Sequence, residues 1–222
     1  MILLRHGQTI FNAVFGLTRI DPGVVDPPLT PEGRRQIAAA AEKLAQLPLK
    51  RVVSSPYTRA LETAEIVAAR AGLSVGIEPL VGERGHFACD IGTARSKLLS
   101  RWPQHSFADL EEEWWRTQES EEDFSTRCQR FRQAVAALED WPEVLVVTHW
   151  GVIRSLTGHS IGNGEWVRFD PHDPGQACAA AERHGNTPSL RSAANNGNIG
   201  RPRTAKKSPL KLSISCTPKP SI

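Results

Sequence analysis

No stretch of this chain is long and apolar enough to cross a bilayer as a helix, which argues against a helical membrane protein. Met1 runs at once into the strand-like Ile2-Leu3-Leu4, with no basic lead-in and no cleavage-site pattern, so a cytoplasmic protein is expected. Cysteine is scarce. Cys89, Cys128, Cys178 and Cys216 are scattered, with neither metal-ligand spacing nor a disulfide framework, so reduced structural thiols are the expectation. No His, Asp and Cys cluster has metal spacing, and neither a metal nor another cofactor is implied. There is no internal repeat. Aromatic residues are wholly absent from 174–222, a segment rich in Pro, Ser, Asn, Gly, Lys and Arg without periodicity. Such a composition cannot bury enough apolar area to offset ordering entropy, and a disordered basic tail is expected there.

The net charge of +3 is unevenly placed. The 174–222 tail holds eight of the 27 Lys and Arg and one of the 24 acids, hence +7, which leaves −4 on residues 1–173. The basic character therefore belongs to the tail, and no nucleic-acid partner is expected for the domain.

Within 1–173, short apolar runs alternate with helical patterns. "ILL", "RVVSS", "LSVGIEP", "EVLVVTH" and "EWVRF" read as strands. "LTPEGRRQIAAAAEKLAQL" reads as a helix with Thr30 as N-cap and Pro31 at its first position, lined by Ile37, Ala41, Leu44 and Leu47. Ser55 and Pro56 are expected to cap and open the next helix. A further helix is expected over Glu121 to Leu138, and another in "GVIRSLTGHS". The alternation predicts an α/β fold, a three-layer α/β/α with a mostly parallel central sheet. The less regular 84–125 stretch, with Trp114-Trp115, would form a small cap or substrate region.

Three strand ends carry cations or imidazoles. The first ends in Arg5-His6-Gly7, the second delivers Arg59 through "SSPYTR", and the late strand ends in Thr148-His149-Trp150-Gly151. Ligands of open α/β sheets bind outside the carboxyl ends of strands. Two guanidinium forks and two imidazoles on one rim suit a phosphoryl group, and the start of the Arg59 helix adds its positive end. Singly, each is also what a core histidine or a surface arginine looks like; the combination carries the reading. Imidazole is largely neutral and nucleophilic near pH 7, provided its other nitrogen is tied to an acceptor. Gly7 would give the backbone the freedom to arrange that tie.

With "LLRHGQTIFN", "LTPEGRRQ", "SSPYTRALETA" and "VVTHWGVIRSLTG" in this order, residues 2–169 resemble the histidine phosphatase superfamily, the phosphoglycerate mutase-like group. The resemblance implies that His6 is a nucleophile forming phosphohistidine, and that Arg5, Arg59 and His149 hold the phosphoryl oxygens. It places Asn12 where the family often adds a hydrogen bond to the phosphate. It also points to Glu83, in "PLVGERGHF", as general acid, with Asp90 as the alternative carboxylate. Trp150 follows the second histidine and either walls the pocket or packs. Thr63 reads as helix packing. The resemblance implies a phosphatase on a small phosphorylated metabolite, with mutase-type transfer as the alternative and a non-catalytic phospho-ligand binder third. A homodimer is compatible with the sequence.

Overall fold

The computed structural model describes residues 1–176; 177–222, with nearly all of the expected disordered tail, lie outside the described residues. Five strands form one sheet: β1 (Ile2–Arg5), β2 (Arg51–Ser54), β3 (Val75–Ile77), β4 (Val144–Thr148) and β5 (Trp166–Arg168). Their order is β3-β2-β4-β1-β5, parallel except for β5, which runs antiparallel to β1.

Strand alternation sorts side chains into two cores. Ile2, Leu4, Val52, Leu145 and Val147 face α2 (Pro31–Leu44) and α3 (Thr58–Ala71). Leu3, Val53, Val144 and Val146 face α5 (Glu121–Ala136) and α6 (Trp150–Thr157). The three layers are as expected. The helix starts follow local chemistry in part. Thr30 Oγ1 accepts from Gly33 N at 3.0 Å, with Pro31 in the first turn, as the sequence indicates. The α3 cap differs from expectation. That helix begins at Thr58, and its cap comes from afar: Asp26 accepts from Thr58 N at 2.9 Å and from Thr58 Oγ1 at 2.7 Å. Ser55 is not a cap because its hydroxyl is engaged by His149.

Two elements were not anticipated. Helix α1 (Ile10–Thr18) opens with a capping box between Thr9 and Asn12 but buries none of its residues. Helix α4 (Arg95–Arg101) lies within the 84–125 stretch, whose Leu98, Trp102, Phe107, Leu110 and Trp114 belong to the α2–α3 core. Trp114 is committed there, donating to Thr93 O at 2.8 Å and meeting Tyr57 edge-on. At the far end, Pro174–Gln176 form a short 3-10 turn held to the domain by Arg132, so ordered chain runs past Asp173.

Register brings the strand ends together. Arg5 pairs with Thr148 and Ser54 with Val147. Single hydrogen bonds prolong both ladders, His6 N to Thr148 O and Ser55 N to Val147 O, each 3.1 Å. Because β4 lies between β1 and β2, residues 5–6, 54–55 and 148–149 emerge side by side.

The loop after β1 lies directly on the first turn of α2. A Cβ on Gly7 would stand 2.6 Å from Gly33 O, and one on Gly33 would strike Gln8 O. Gly7 is not among the positive-φ residues, so close approach, rather than backbone freedom, is what requires glycine here. Gly33→Ala should therefore cost about 1–3 kcal/mol of stability in urea denaturation, the usual range for overpacking. A loss below a few tenths of a kcal/mol would show that the two segments part easily.

Candidate active site

His6 is 4% exposed, and its Nδ1 lies 2.8 Å from Gly7 O. A carbonyl only accepts, so Nδ1 carries the proton and Nε2 keeps its lone pair. Burial first, then Arg59 and Arg5, hold the His6 imidazole well below its ordinary 6.5. The ring is thus a neutral base with its orientation set by its own backbone. Gly7 N in turn donates to Thr63 Oγ1 at 3.2 Å, so Thr63 anchors this loop as well as packing.

Fully buried His149 sits with its ring centroid 5.1 Å from that of His6. Its Nε2 is 2.8 Å from Ser55 Oγ, while Nδ1 has no partner among the described residues. Burial, then Arg59 and His6, lower its pKa well below the ordinary value too.

The two guanidiniums are fixed by backbone carbonyls. Arg5 Nη1 donates to Ile161 O at 2.7 Å, and its buried Nε has no partner among the described residues. Arg59, 3% exposed, donates from Nη1 to Cys89 O at 2.7 Å, pairs with Asp90 at 3.1 Å and lies over the Tyr57 ring. Burial is the strongest single influence and works against the Arg59 charge, but Asp90 together with Cys89, Tyr57 and Asp26 keeps the cation above its ordinary pKa.

Glu83 is held by two backbone donors, Arg84 N at 3.0 Å and Gly151 N at 3.1 Å. Burial and then Asp90 push its carboxyl above the ordinary 4.5, against the pull of those N–H groups and Arg59. Its loop is tied down by Arg127, which donates to Leu80 O and Gly82 O and pairs with Glu119. Asp90 is differently employed. Besides Arg59 it accepts from His86 N and Phe87 N, which makes it the orienter of Arg59 rather than a free acid.

Asn12 reaches the cleft, but its side-chain oxygen is taken by Thr9 and by Asn163. Asn163, which no sequence pattern singles out, donates to His6 O at 3.1 Å and to Asn12 at 3.2 Å, bridging the His6 backbone and α1. Trp150 stands at the cleft edge, half exposed, bonded to Ser160 and covered by Arg154. Arg5, His6, Asn12, Arg59, Glu83 and Trp150 all line one cleft of about 700 Å³. His149 sits behind it, against His6. Among the described residues no group of three or more His, Cys, Asp or Glu is placed to hold a metal ion.

Such a constellation can bind a phosphoryl dianion, present a neutral imidazole to phosphorus and move a proton through the Glu83 carboxyl. The chain belongs to the histidine phosphatase superfamily (branch 1), whose family model matches residues 1–195. It is 30% identical over 212 residues to a glucosyl-3-phosphoglycerate phosphatase of Mycolicibacterium vanbaalenii, covering 79% of this chain and 88% of that one. It is also 30% identical over 173 residues to a probable phosphoglycerate mutase of Erwinia tasmaniensis, covering 72% and 74%. Among solved structures, a mycobacterial glucosyl-3-phosphoglycerate phosphatase in complex with VO3 superposes with a TM-score of 0.51 at 28% identity, over 75% of this chain and 90% of that one. The alpha-ribazole phosphatase of Shigella flexneri gives 0.52 at 25% identity, over 74% and 87%. The chain is thus a phosphatase or phosphoglycerate mutase-like member of that family.

If Asp90 orients Arg59, Asp90→Asn should weaken inhibition by inorganic phosphate about ten- to a hundredfold, the range for losing a charged hydrogen bond. The alkaline limb of the rate profile should move to lower pH, because the Asp90 charge helps to hold the Glu83 carboxyl up. Loss of that limb would make Asp90 the acid.

Proposed function

We propose that this protein hydrolyses small phosphomonoesters through a phosphohistidine on His6. The observation that carries the reading is the His6 ring, tied by Nδ1 to Gly7 O and lining the same cleft as Arg5, Arg59 and Glu83. In the first step Nε2 bonds to phosphorus and the ester P–O bond breaks, with its electron pair leaving on the alcohol oxygen. Glu83, protonated, gives that oxygen its proton. In the second step the Glu83 carboxylate takes a proton from water as the water oxygen attacks phosphorus. The N–P bond breaks, inorganic phosphate departs and His6 is neutral again. Arg5, Arg59 and the free Nδ1 side of His149 stabilise charge on the equatorial oxygens. Asn12 and Trp150 shape the approach, Asn12 through its Nδ2.

Hydrolysis is favoured over transfer because the segment between Glu83 and His149 is short for a cap that must shield the phosphoenzyme from water. The relative named a probable phosphoglycerate mutase makes isomerisation the second reading, and net phosphate release decides between them. All groups of the site come from one chain, so a homodimer would not be needed for chemistry. The reading includes action in the cytoplasm, which the buried, free thiol of Cys89 suits. Among the described residues no helix is long and apolar enough to cross a membrane.

His6→Ala should abolish both turnover and the acid-labile phosphoenzyme seen on rapid quenching with labelled substrate. A labelled protein surviving in that variant would move the nucleophile elsewhere. The pH profile should be a bell. Its rising limb marks His6 shedding a proton well below 6.5, since only the neutral ring attacks. Its falling limb marks Glu83 ionising above 4.5, since only the protonated carboxyl can donate. Glu83→Gln should erase the falling limb and lower kcat on alkyl esters about a hundred- to ten-thousandfold. An unchanged limb in that variant would clear Glu83 of the role.

A further inference from the structure

Helix α1 is apolar in sequence yet buries nothing, which is unusual for a helix next to a catalytic residue. Phe11 and Phe15 stand one turn apart on it and so share a face. Their rings are stacked, 5.1 Å between centroids and 12° between planes. Phe87, from the loop before Asp90, closes on both at 5.1 Å. All three are half-buried, and all three line the cleft that holds His6. They form an aromatic wall one face of which is open to the cleft, not a core.

Gly16 extends the opening. It lines the cleft, and a Cβ there would meet nothing within 4 Å. Arg19 follows, its guanidinium 5.9 Å from the Phe15 ring centre, and no carboxylate pairs with it among the described residues. Between Asn12 and Arg19 this face of α1 offers no side-chain donor or acceptor to the cleft. A hydroxyl-rich sugar laid along it would lose water without replacing its hydrogen bonds, which is costly. A flat ring would instead meet aromatic faces at stacking distance, beside a cation that favours π systems.

Building on the reading of His6 as the phosphoryl acceptor, we infer that the preferred substrates are phosphomonoesters whose alcohol part carries a flat aromatic ring, stacked on the Phe11–Phe15–Phe87 wall. The phosphoryl group lies among Arg5, His6 and Arg59. The ring lies along α1 toward Gly16. Selection acts on the leaving group and leaves the phosphoryl chemistry alone.

Leaving-group acidity must be held constant to see this, because phenyl esters are reactive for reasons unrelated to binding. Naphthylethyl, butyl and octyl phosphate all leave as simple alkoxides, and a hexose phosphate completes the set. The wall predicts a kcat/KM for naphthylethyl phosphate at least about tenfold above that for butyl phosphate, carried by KM. Octyl phosphate falls between, and the hexose phosphate is lowest. Phe15→Leu keeps apolar volume for folding but removes the central ring, and Gly16→Leu fills the opening with a better helix former. Each should cut the naphthylethyl-to-butyl ratio to less than about threefold. A ratio that survives in both variants overturns the inference, as does octyl phosphate matching naphthylethyl phosphate, which would make the wall merely apolar. Equal turnover of all four esters removes the inference and leaves the phosphatase reading standing. Turnover of none removes both.

Discussion

The site depends on a neutral imidazole in a cleft that it shares with two guanidiniums, buried Arg59 and half-buried Arg5. Arg5 and Arg59 make the cleft electropositive, and the same charges discourage protonation of His6. The two requirements of the proposed chemistry, an electropositive pocket and an imidazole with a free lone pair, therefore come from one arrangement. A histidine in water would be partly protonated at neutral pH and would lose nucleophilicity in proportion. Here burial and the flanking cations act in the same direction, and the Gly7 carbonyl fixes which nitrogen remains free.

Such a cluster of positive charge is costly to bury and must be sustained by its surroundings. The structure does so unequally. Arg59 is almost sealed, satisfied by Cys89 O, by the Asp90 carboxylate and by the Tyr57 face. Among the described residues Arg5 has one carbonyl partner and a buried Nε with none, and burial lowers its pKa. Arg59 thus reads as the permanently ordered clamp, while Arg5 keeps hydrogen-bonding capacity for an anion. Asp90 has a second consequence. Its negative charge helps to raise the Glu83 carboxyl, so one acid both steadies Arg59 and favours a proton on Glu83, as the proposed role requires. The same loop positions Phe87, which links the phosphoryl pocket to the aromatic wall.

The legible part of the molecule was the part written in contiguous pattern. Alternating apolar runs marked the strands, and Arg5, His6, Arg59 and His149 were visible because each follows a strand end in the sequence. Their convergence rests on β4 lying between β1 and β2, a pairing that the alternation implied only in outline. What stayed hidden was held by partners distant in sequence. Ser55 looked like a cap and is the ligand of His149; Asp26 gave no sign of capping α3; Asn163 lies in a turn whose composition is unremarkable until His6 O appears beside it. Helix α1 was missed for a different reason. Periodicity announces a helix through its buried stripe, and α1 has none, because its apolar side faces the cleft.

Glu83 shows how finely such a site is balanced. In the role proposed for it, first donating and then accepting a proton, its carboxylate can be neither strongly stabilised nor strongly excluded. Burial and Asp90 raise its pKa, whereas Arg84 N, Gly151 N at the positive end of α6 and Arg59 lower it. The contact with α6 exists only because residue 151 is glycine: any Cβ there would strike Glu83 Oε1. The residue two places after His149 therefore sets the position of the Glu83 carboxyl. The motif around His149 does two jobs through one short helix, placing an imidazole against His6 and a backbone N–H against Glu83.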